Sequence, residues 1–217
     1  MAGMSITVVV IDDHPAIAAG VRVWCASANP PIKVVSTGVN VRAAWLEPGS
    51  LADVVVFDLQ LAGGTPAFGD LRRLVDDGRK VVVYTMRDDP DTALACLDIG
   101  ASGYVTKAEG EKHLVGAVRA AAHDLPYTTP ALAGALGTDS RGHRPKLAPR
   151  EVDVLIEWFH CESKEMVARK LSLSVRTVNS YIDRVRVKYA NAGRDAPTKA
   201  ALVARAIQDG LIDVSDL

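Results

Sequence analysis

Cysteine is scarce: only Cys25, Cys96 and Cys161 occur among 217 residues. They are odd in number, widely spaced and never form C-x-x-C, so they suggest neither a disulfide framework nor a zinc site. Buried reduced thiols are expected. No run of 18 or more apolar residues occurs, which argues against a membrane-spanning helix. The first residues, Met1 to Thr7, carry no basic region or cleavage site before an apolar run begins, so a cytoplasmic location is expected. A hydrophobic share of 48% lets the chain bury real cores, and the length favours one or two domains.

The net charge of −1 hides an asymmetry along the chain. Residues 1–124 hold 11 Lys and Arg against 15 Asp and Glu, whereas residues 144–217 hold 13 against 10. Three of those later acids, Asp209, Asp213 and Asp216, lie in the last nine residues, so the body of that segment is more basic still. Modest basicity suits contact with nucleic acid and equally suits a solvated face.

Short β-type runs alternate with helix-like stretches through the first segment. Ile6–Ile11, Ile32–Ser36, Asp53–Phe57, Lys80–Tyr84 and Gly103–Val105 read as strands. Pro15–Ala26, Val39–Leu46, Gly69–Asp77, Pro90–Ile99 and Glu111–His123 read as helices. Five of each in alternation predict an α/β fold, a doubly wound parallel sheet of the flavodoxin type covered on both faces. Four strand ends carry polar residues: Asp12-Asp13, Asp58, Thr85 and Lys107. The carboxyl ends of neighbouring parallel strands open on one crevice, where such sheets place their chemistry. A carboxylate cluster with a hydroxyl and a lysine there suits phosphate and Mg²⁺.

Residues 125–146 break the rhythm with three prolines and three glycines and read as a linker, with a helical turn near Ala131–Leu136. This places domains at 1–124 and 147–217. The second reads as all helical. Val152, Leu155, Ile156 and Phe159 form a stripe on a helix starting at Pro149. Ser163 can cap a short helix over Lys164–Leu171, and Ser174 a third over Val175–Lys188. A fourth runs from about Pro197 to Gln208, stopped by Gly210. A short helix, a tight turn and an amphipathic helix with a polar outer face is the helix-turn-helix layout.

Asp12-Asp13-His14-Pro15, Asp58, Tyr84-Thr85 and the run Gly100-Ala-Ser-Gly-Tyr-Val-Thr-Lys107 resemble a two-component receiver domain. Leu147-Ala-Pro-Arg-Glu151, Val175-Arg-Thr-Val-Asn179 and Asp209-Gly-Leu-Ile212 resemble a LuxR-type helix-turn-helix. Together they resemble a response regulator of the NarL/FixJ family over essentially the whole chain. The resemblance implies a phosphorylation-regulated DNA-binding transcriptional regulator rather than an enzyme. Asp58 would take a phosphoryl group from a sensor histidine kinase or a small donor. Asp12 and Asp13, with Asp58 and the Gln60 carbonyl, would hold Mg²⁺. Lys107 and Thr85 would bind the phosphoryl oxygens, and Tyr104 would follow the Thr85 hydroxyl as the switch. Arg176, Thr177, Asn179, Ser180, Asp183, Arg184 and Lys188 would face double-stranded promoter DNA, with Lys199 of the fourth helix as a further phosphate contact. Asp183 reads equally as a surface residue paired with Arg184 or Arg186. A homodimer on two half-sites spaced by a helical turn, or a multiple, is expected.

Several residues depart from the family pattern. The loop Leu61–Pro66 shifts the usual proline and adds glycine. Ala148 replaces a Ser or Thr cap, at a cost of about 1 kcal/mol. Cys161 stands at a turn position commonly held by glycine, and Tyr189–Ala196 reads as a long connection. Two further readings stand beside this one. A phosphatase with an aspartate nucleophile needs a second aspartate where Gln60 stands, and a phosphorylation-independent regulator would use the receiver as an interaction module.

Overall fold

The computed structural model describes residues 5–61, 64–138 and 144–216. Five β-branched, valine-rich strands, β1 (Thr7–Ile11), β2 (Lys33–Gly38), β3 (Val54–Phe57), β4 (Val81–Thr85) and β5 (Gly103–Thr106), pair in parallel in the order β2-β1-β3-β4-β5. Side chains alternate across a strand, so one valine run feeds two cores. Val8, Val10, Val54, Val56, Val82 and Tyr84 meet Val21 and Cys25 of α1 (Pro15–Ser27) and Leu114 and Val118 of α4 (Gly110–Ala122). Val9, Ile11, Val55, Phe57 and Val83 pack toward α2 (Phe68–Asp76), α3 (Pro90–Ile99) and α5 (Pro130–Thr138).

Two expectations are corrected here. The stretch Val39–Leu46 is no α-helix: a 3-10 turn spans Val41–Ala44, opened by Asn40, whose side chain accepts from the Arg42 amide, and a second spans Gly49–Leu51. β-branched Val41 and the following Pro48 leave too few residues to propagate a helix. The helical turn foreseen at Ala131–Leu136 is the nine-residue α5, opened by Pro130 with the Thr129 hydroxyl accepting from the Leu132 amide. Ala62 and Gly63 of the atypical loop and residues 139–143 of the polar string lie outside the described residues.

The second unit comprises α6 (Pro149–His160), α7 (Lys164–Lys170), α8 (Val175–Asn191) and α9 (Lys199–Gln208). Its core joins Val154, Leu155, Trp158 and Phe159 to Val178, Ile182, Val185 and Tyr189. The buried stripe of α6 is therefore rotated from the expected one, because Val154 and Trp158 go inward while Val152 and Ile156 are half-buried. Despite Ala148, half a capping box survives: Glu151 accepts from the Ala148 amide at 2.7 Å. Helix α8 runs three residues beyond Lys188, so the long connection shortens.

The two units share packing. Ala204 of α9, with Ala200 and Ile207, joins Leu132 and Ala135 of α5 in the core on the α3 side of the sheet. Arg205 of α9 pairs with Asp98 of α3.

Candidate functional site

The sheet register builds the site. Because β1 pairs Ile11 with Phe57 of β3, the next residues, Asp12 and Asp58, come side by side. Because β4 pairs Thr85 with Thr106 of β5, Lys107 emerges one step beyond them. The crevice lies where the strand order reverses between β1 and β3, the switch point of a doubly wound sheet. Asp12 and Asp58 are 4% and 2% exposed, and Thr85 is fully buried. The Lys107 ammonium sits 2.6 Å from Asp58 Oδ2 and 2.8 Å from Asp12 Oδ2. The backbone amide of Gln60 donates to Asp58 Oδ1 at 3.0 Å.

This geometry moves proton affinities. Burial pulls the Lys107 ammonium down, but its ion pairs with Asp12 and Asp58 more than offset that and hold it above the ordinary lysine value. The Tyr84 phenol is pushed up to about 12 by burial and then by the charges of Asp12 and Asp58. Lys107 is thus a fixed cation facing two carboxylates.

The crevice has room for a further cation. One ligand atom each from Asp12, Asp13, His14 and Asp58 lies within 4.8 Å of the others. Asp13 Oδ1 is buried and meets His14 Nδ1 at 3.0 Å, and Asp12 Oδ2 meets Lys107 at 2.8 Å, both without hydrogen-bond geometry among the described residues. Three crowded carboxylates with unfilled lone pairs are hard oxygen donors of the kind Mg²⁺ takes. The His14 amide caps Asp12 Oδ1 at 2.8 Å, and its ring reaches out to 65% exposure.

A chain of contacts leads outward from the crevice. The Thr85 hydroxyl accepts from the Arg87 amide at 3.4 Å, and the Tyr104 phenol, buried under the α3 side of the sheet, donates to the Arg87 carbonyl at 2.8 Å. Burial holds that phenol well above its ordinary range. The Thr129 hydroxyl donates to the Tyr104 carbonyl at 3.1 Å. Glu109 accepts from the Thr106 amide with one oxygen and from the Ala131 amide with the other. Glu109 and Thr129 thereby pin the first turn of α5 to the end of β5. Tyr127 adds a third fastening, its ring filling the space where a Gly116 side chain would stand and its hydroxyl 3.2 Å from His113 Nδ1. Sequence reasoning missed Glu109, Thr129 and Tyr127, because their partners lie across the fold. Only the Thr-x-x-Glu capping spacing of Thr106 and Glu109 hinted at one.

The second candidate surface is the outer face of α8. Ser174 caps the helix by accepting from the Thr177 amide at 3.0 Å. Arg176, Ser180, Asp183 and Arg184 are exposed and, with Thr177, line a shallow concavity, as the helical spacing predicts. Asn179 is half-buried, its carbonyl oxygen accepting from Lys164 Nζ at 2.6 Å. Asp183 meets Arg186 at 3.5 Å, the surface pairing considered above. Lys188 turns away from this face: its ammonium lies 2.6 Å from Glu151 and also donates to the Lys146 carbonyl. Lys199 does not reach it either. It is 7% exposed and donates to the Cys161 carbonyl at 2.7 Å.

Comparison with known proteins identifies the two units that carry these surfaces. Residues 8–119 match the response regulator receiver domain, and residues 145–194 match the bacterial regulatory proteins of the luxR family. The response regulator GacA of Pseudomonas protegens is 28% identical, covering 97% of this chain and 99% of its own. The DNA-binding transcriptional activator EvgA of Escherichia coli is 26% identical, covering 83% of this chain and 89% of its own. Among solved structures, the RcsB response regulator of Salmonella typhimurium superimposes with a TM-score of 0.56 at 22% identity, covering 92% of this chain and 97% of its own. A two-component response regulator of the LuxR family from Aurantimonas covers 61% of this chain and 96% of its own, with a TM-score of 0.54 at 29% identity. A receiver domain followed by a LuxR-type helix-turn-helix, in that order and over these lengths, makes this chain a two-component response regulator of the NarL/FixJ family, a phosphorylation-regulated DNA-binding regulator of transcription.

Proposed function

We propose that Asp58 is the phosphoacceptor of this regulator, with a sensor histidine kinase as donor. A carboxylate oxygen of Asp58 attacks the phosphorus of the phosphohistidine, the P–N bond breaks as the new O–P bond forms, and an acyl phosphate results. The observation that carries this reading is the burial of Asp58 between Asp12 and the Lys107 ammonium, 2.6 Å away, at the mouth of the sheet. Lys107 is placed to transfer its ion pair from the free carboxylate to the phosphoryl oxygens, and the Thr85 hydroxyl to donate to one of them. Asp12, Asp13, Asp58 and the Gln60 carbonyl would hold Mg²⁺, which when bound offsets the charge of three carboxylates and the incoming phosphoryl group. As Thr85 turns toward the phosphoryl group, the Arg87 backbone loses its present partner. Tyr104, tied to that same backbone, carries the change to β5 and, through Thr129, to α5. A local charge event thus biases the contact between the two units.

At the output end, Arg176 and Arg184 supply phosphate contacts, and Thr177, Asn179, Ser180 and Asp183 face the base edges of the major groove. Lys188 supports this surface by fastening α8 to α6. The serving limits are a receiver at 1–124, a connection at 125–146 whose α5 rides on the receiver, and a DNA-binding domain at 147–217. The regulator would act in the cytoplasm, and among the described residues no helix is long and apolar enough to cross a membrane. One small module binds weakly, so a homodimer on two half-sites is expected; one RcsB structure is of two dimers bound to two parallel DNAs.

Intact-mass measurement after incubation with acetyl phosphate and Mg²⁺ tests the phosphoacceptor. The wild type gains one phosphoryl group and Asp58→Asn gains none. An equal adduct on the variant, or no adduct on the wild type, overturns the assignment.

A further inference from the structure

Between the receiver and the DNA-binding domain lies a cleft of about 340 Å³, bordered by Lys80, Gly100 and Asp124 on one side and by Trp158, Lys164, Arg186 and Lys199 on the other. Its charge is lopsided. Lys80 and Asp124 neutralise one another at 3.0 Å. Of the other lining cations, Arg79 donates its guanidinium hydrogens to the carbonyls of Ala44, Gly49 and Ala52, while Lys164 Nζ, Arg186 Cζ and Lys199 Nζ crowd one indole, 5.7, 5.8 and 5.5 Å from the ring centroid of Trp158. Among the described residues, neither lysine has a carboxylate within salt-bridge distance, and the single acid facing Arg186 is Asp183 at 3.5 Å. Each cation attracts the ring face, but three together repel, and the ring carries no net negative charge to offset that.

The donors there are also under-used. Arg186 Nε is buried and makes no hydrogen bond. Among the described residues Lys164 and Lys199 each make one hydrogen bond, to the Asn179 side chain and the Cys161 carbonyl, and an ammonium has three to give. Lys199 is held below the ordinary lysine range, to about 8, by burial, with the charge of Asp124 and others only partly restoring it. Converging cationic donors with spare hydrogens describe a receptor for a phosphate-bearing anion. A DNA duplex is too large for a cleft of this volume, which leaves a small ligand.

We infer that this cleft is a binding site for a small diphosphate-type anion, held by Lys164, Arg186 and Lys199 over Trp158. The bound anion contacts the DNA-binding unit at the helix pair that presents the recognition surface, and it closes the cleft against the receiver. It therefore opposes duplex binding, through a site remote from Asp58.

Isothermal titration of the full-length protein with inorganic pyrophosphate, in EDTA and at constant ionic strength, tests this. EDTA keeps the Asp58 crevice from recruiting the anion through a metal ion. The expected result is saturable binding of one anion per chain, weakened at least tenfold by Lys164→Gln and by Arg186→Gln, and unchanged by Arg176→Gln on the outer face of α8. Both weakened positions are only half-buried, and a far-ultraviolet spectrum equal to wild type confirms that the variants fold. A nucleoside diphosphate titrated in parallel separates the two sources of a diphosphate group by which binds more tightly. No saturable binding, no effect of Lys164→Gln and Arg186→Gln, or an equal loss with Arg176→Gln overturns the inference.

Discussion

The crevice at the head of the sheet and the outer face of α8 each gather a handful of polar side chains, and they are built in opposite ways. In the crevice each residue leaves a strand end whose register is set by its neighbours, and both oxygens of Asp58 and of Asp12 face a donor or a cation. On α8 the side chains stand on one solvated helix, and several are diverted into local pairs: Asn179 to Lys164, Asp183 to Arg186, Lys188 to Glu151. Buried charges demand a complete set of partners, so their identities are constrained. Exposed ones are cheap to rearrange, so the same helix can hold many residue sets.

That contrast breaks most readily at Lys107. Replacing it with methionine removes the ammonium that faces two buried carboxylates, and unfolding by denaturant in EDTA should show a loss of about 3 kcal/mol or more. Mg²⁺ should restore part of it, since a cation would again face the carboxylates. If Lys107→Met is as stable as the wild type, the crevice is not the buried electrostatic unit described.

On the DNA side, Arg176→Ala should weaken duplex binding about tenfold and lower the slope of log affinity against log salt by about one. Lys188→Ala should weaken it less, at fixed salt, while lowering stability through the lost Glu151 pair. Burial raises the Glu151 carboxyl, yet the Lys188 contact and the Ala148 amide prevail and hold it below its usual value. Equal losses for the two variants in a fluorescence-anisotropy titration would show that Lys188 leaves Glu151 to reach DNA.

Lys199 supplies a pH test of the interface between the units. Its folded value of about 8 lies below the ordinary 10.5, so between these the unfolded chain holds a proton that the folded chain has released. Stability contributed at this site therefore rises with pH across that window, by at most about 1.4 kcal/mol per pH unit. The buried thiols work the other way, with Cys96 pushed up to about 12, so the measurement is the stability difference between wild type and Lys199→Met. A difference that stays flat from pH 8 to 10.5 would show that the ammonium is hydrated.

The smallest effect is expected at Tyr104→Phe. It deletes one hydrogen bond to the Arg87 carbonyl and should cost about 1 kcal/mol, while the wild-type response of duplex affinity to acetyl phosphate should shrink. An unchanged response would remove Tyr104 from the path out of the crevice.

Much of this fold and site is legible in the sequence. Valine runs ending in Asp12, Asp58 and Thr85 imply parallel strands with their chemistry at one edge, and Ser163 and Ser174 mark helix starts that the structure confirms within a residue. The misjudged elements are those decided by neighbours. Val39–Leu46 has helical composition but only 3-10 turns, and the proline- and glycine-bearing segment after Leu125 contains α5 because β5, α3 and α9 offer it an apolar seat. Lys199 and Lys188 looked like free cations because a sequence does not tell which side of a helix will be covered.

What the chain alone determined, then, is the order of elements and the residue types at the strand ends, since strand and helix periodicities are local and the Asp, Thr and Lys positions follow directly from them. What only the tertiary structure decided is which of those groups touch: the triangle of Asp12, Asp58 and Lys107, the fastening of α5 by Glu109, Thr129 and Tyr127, and the three cations gathered on Trp158. These depend on register and packing between segments far apart in sequence, and no local propensity encodes a distance across the fold.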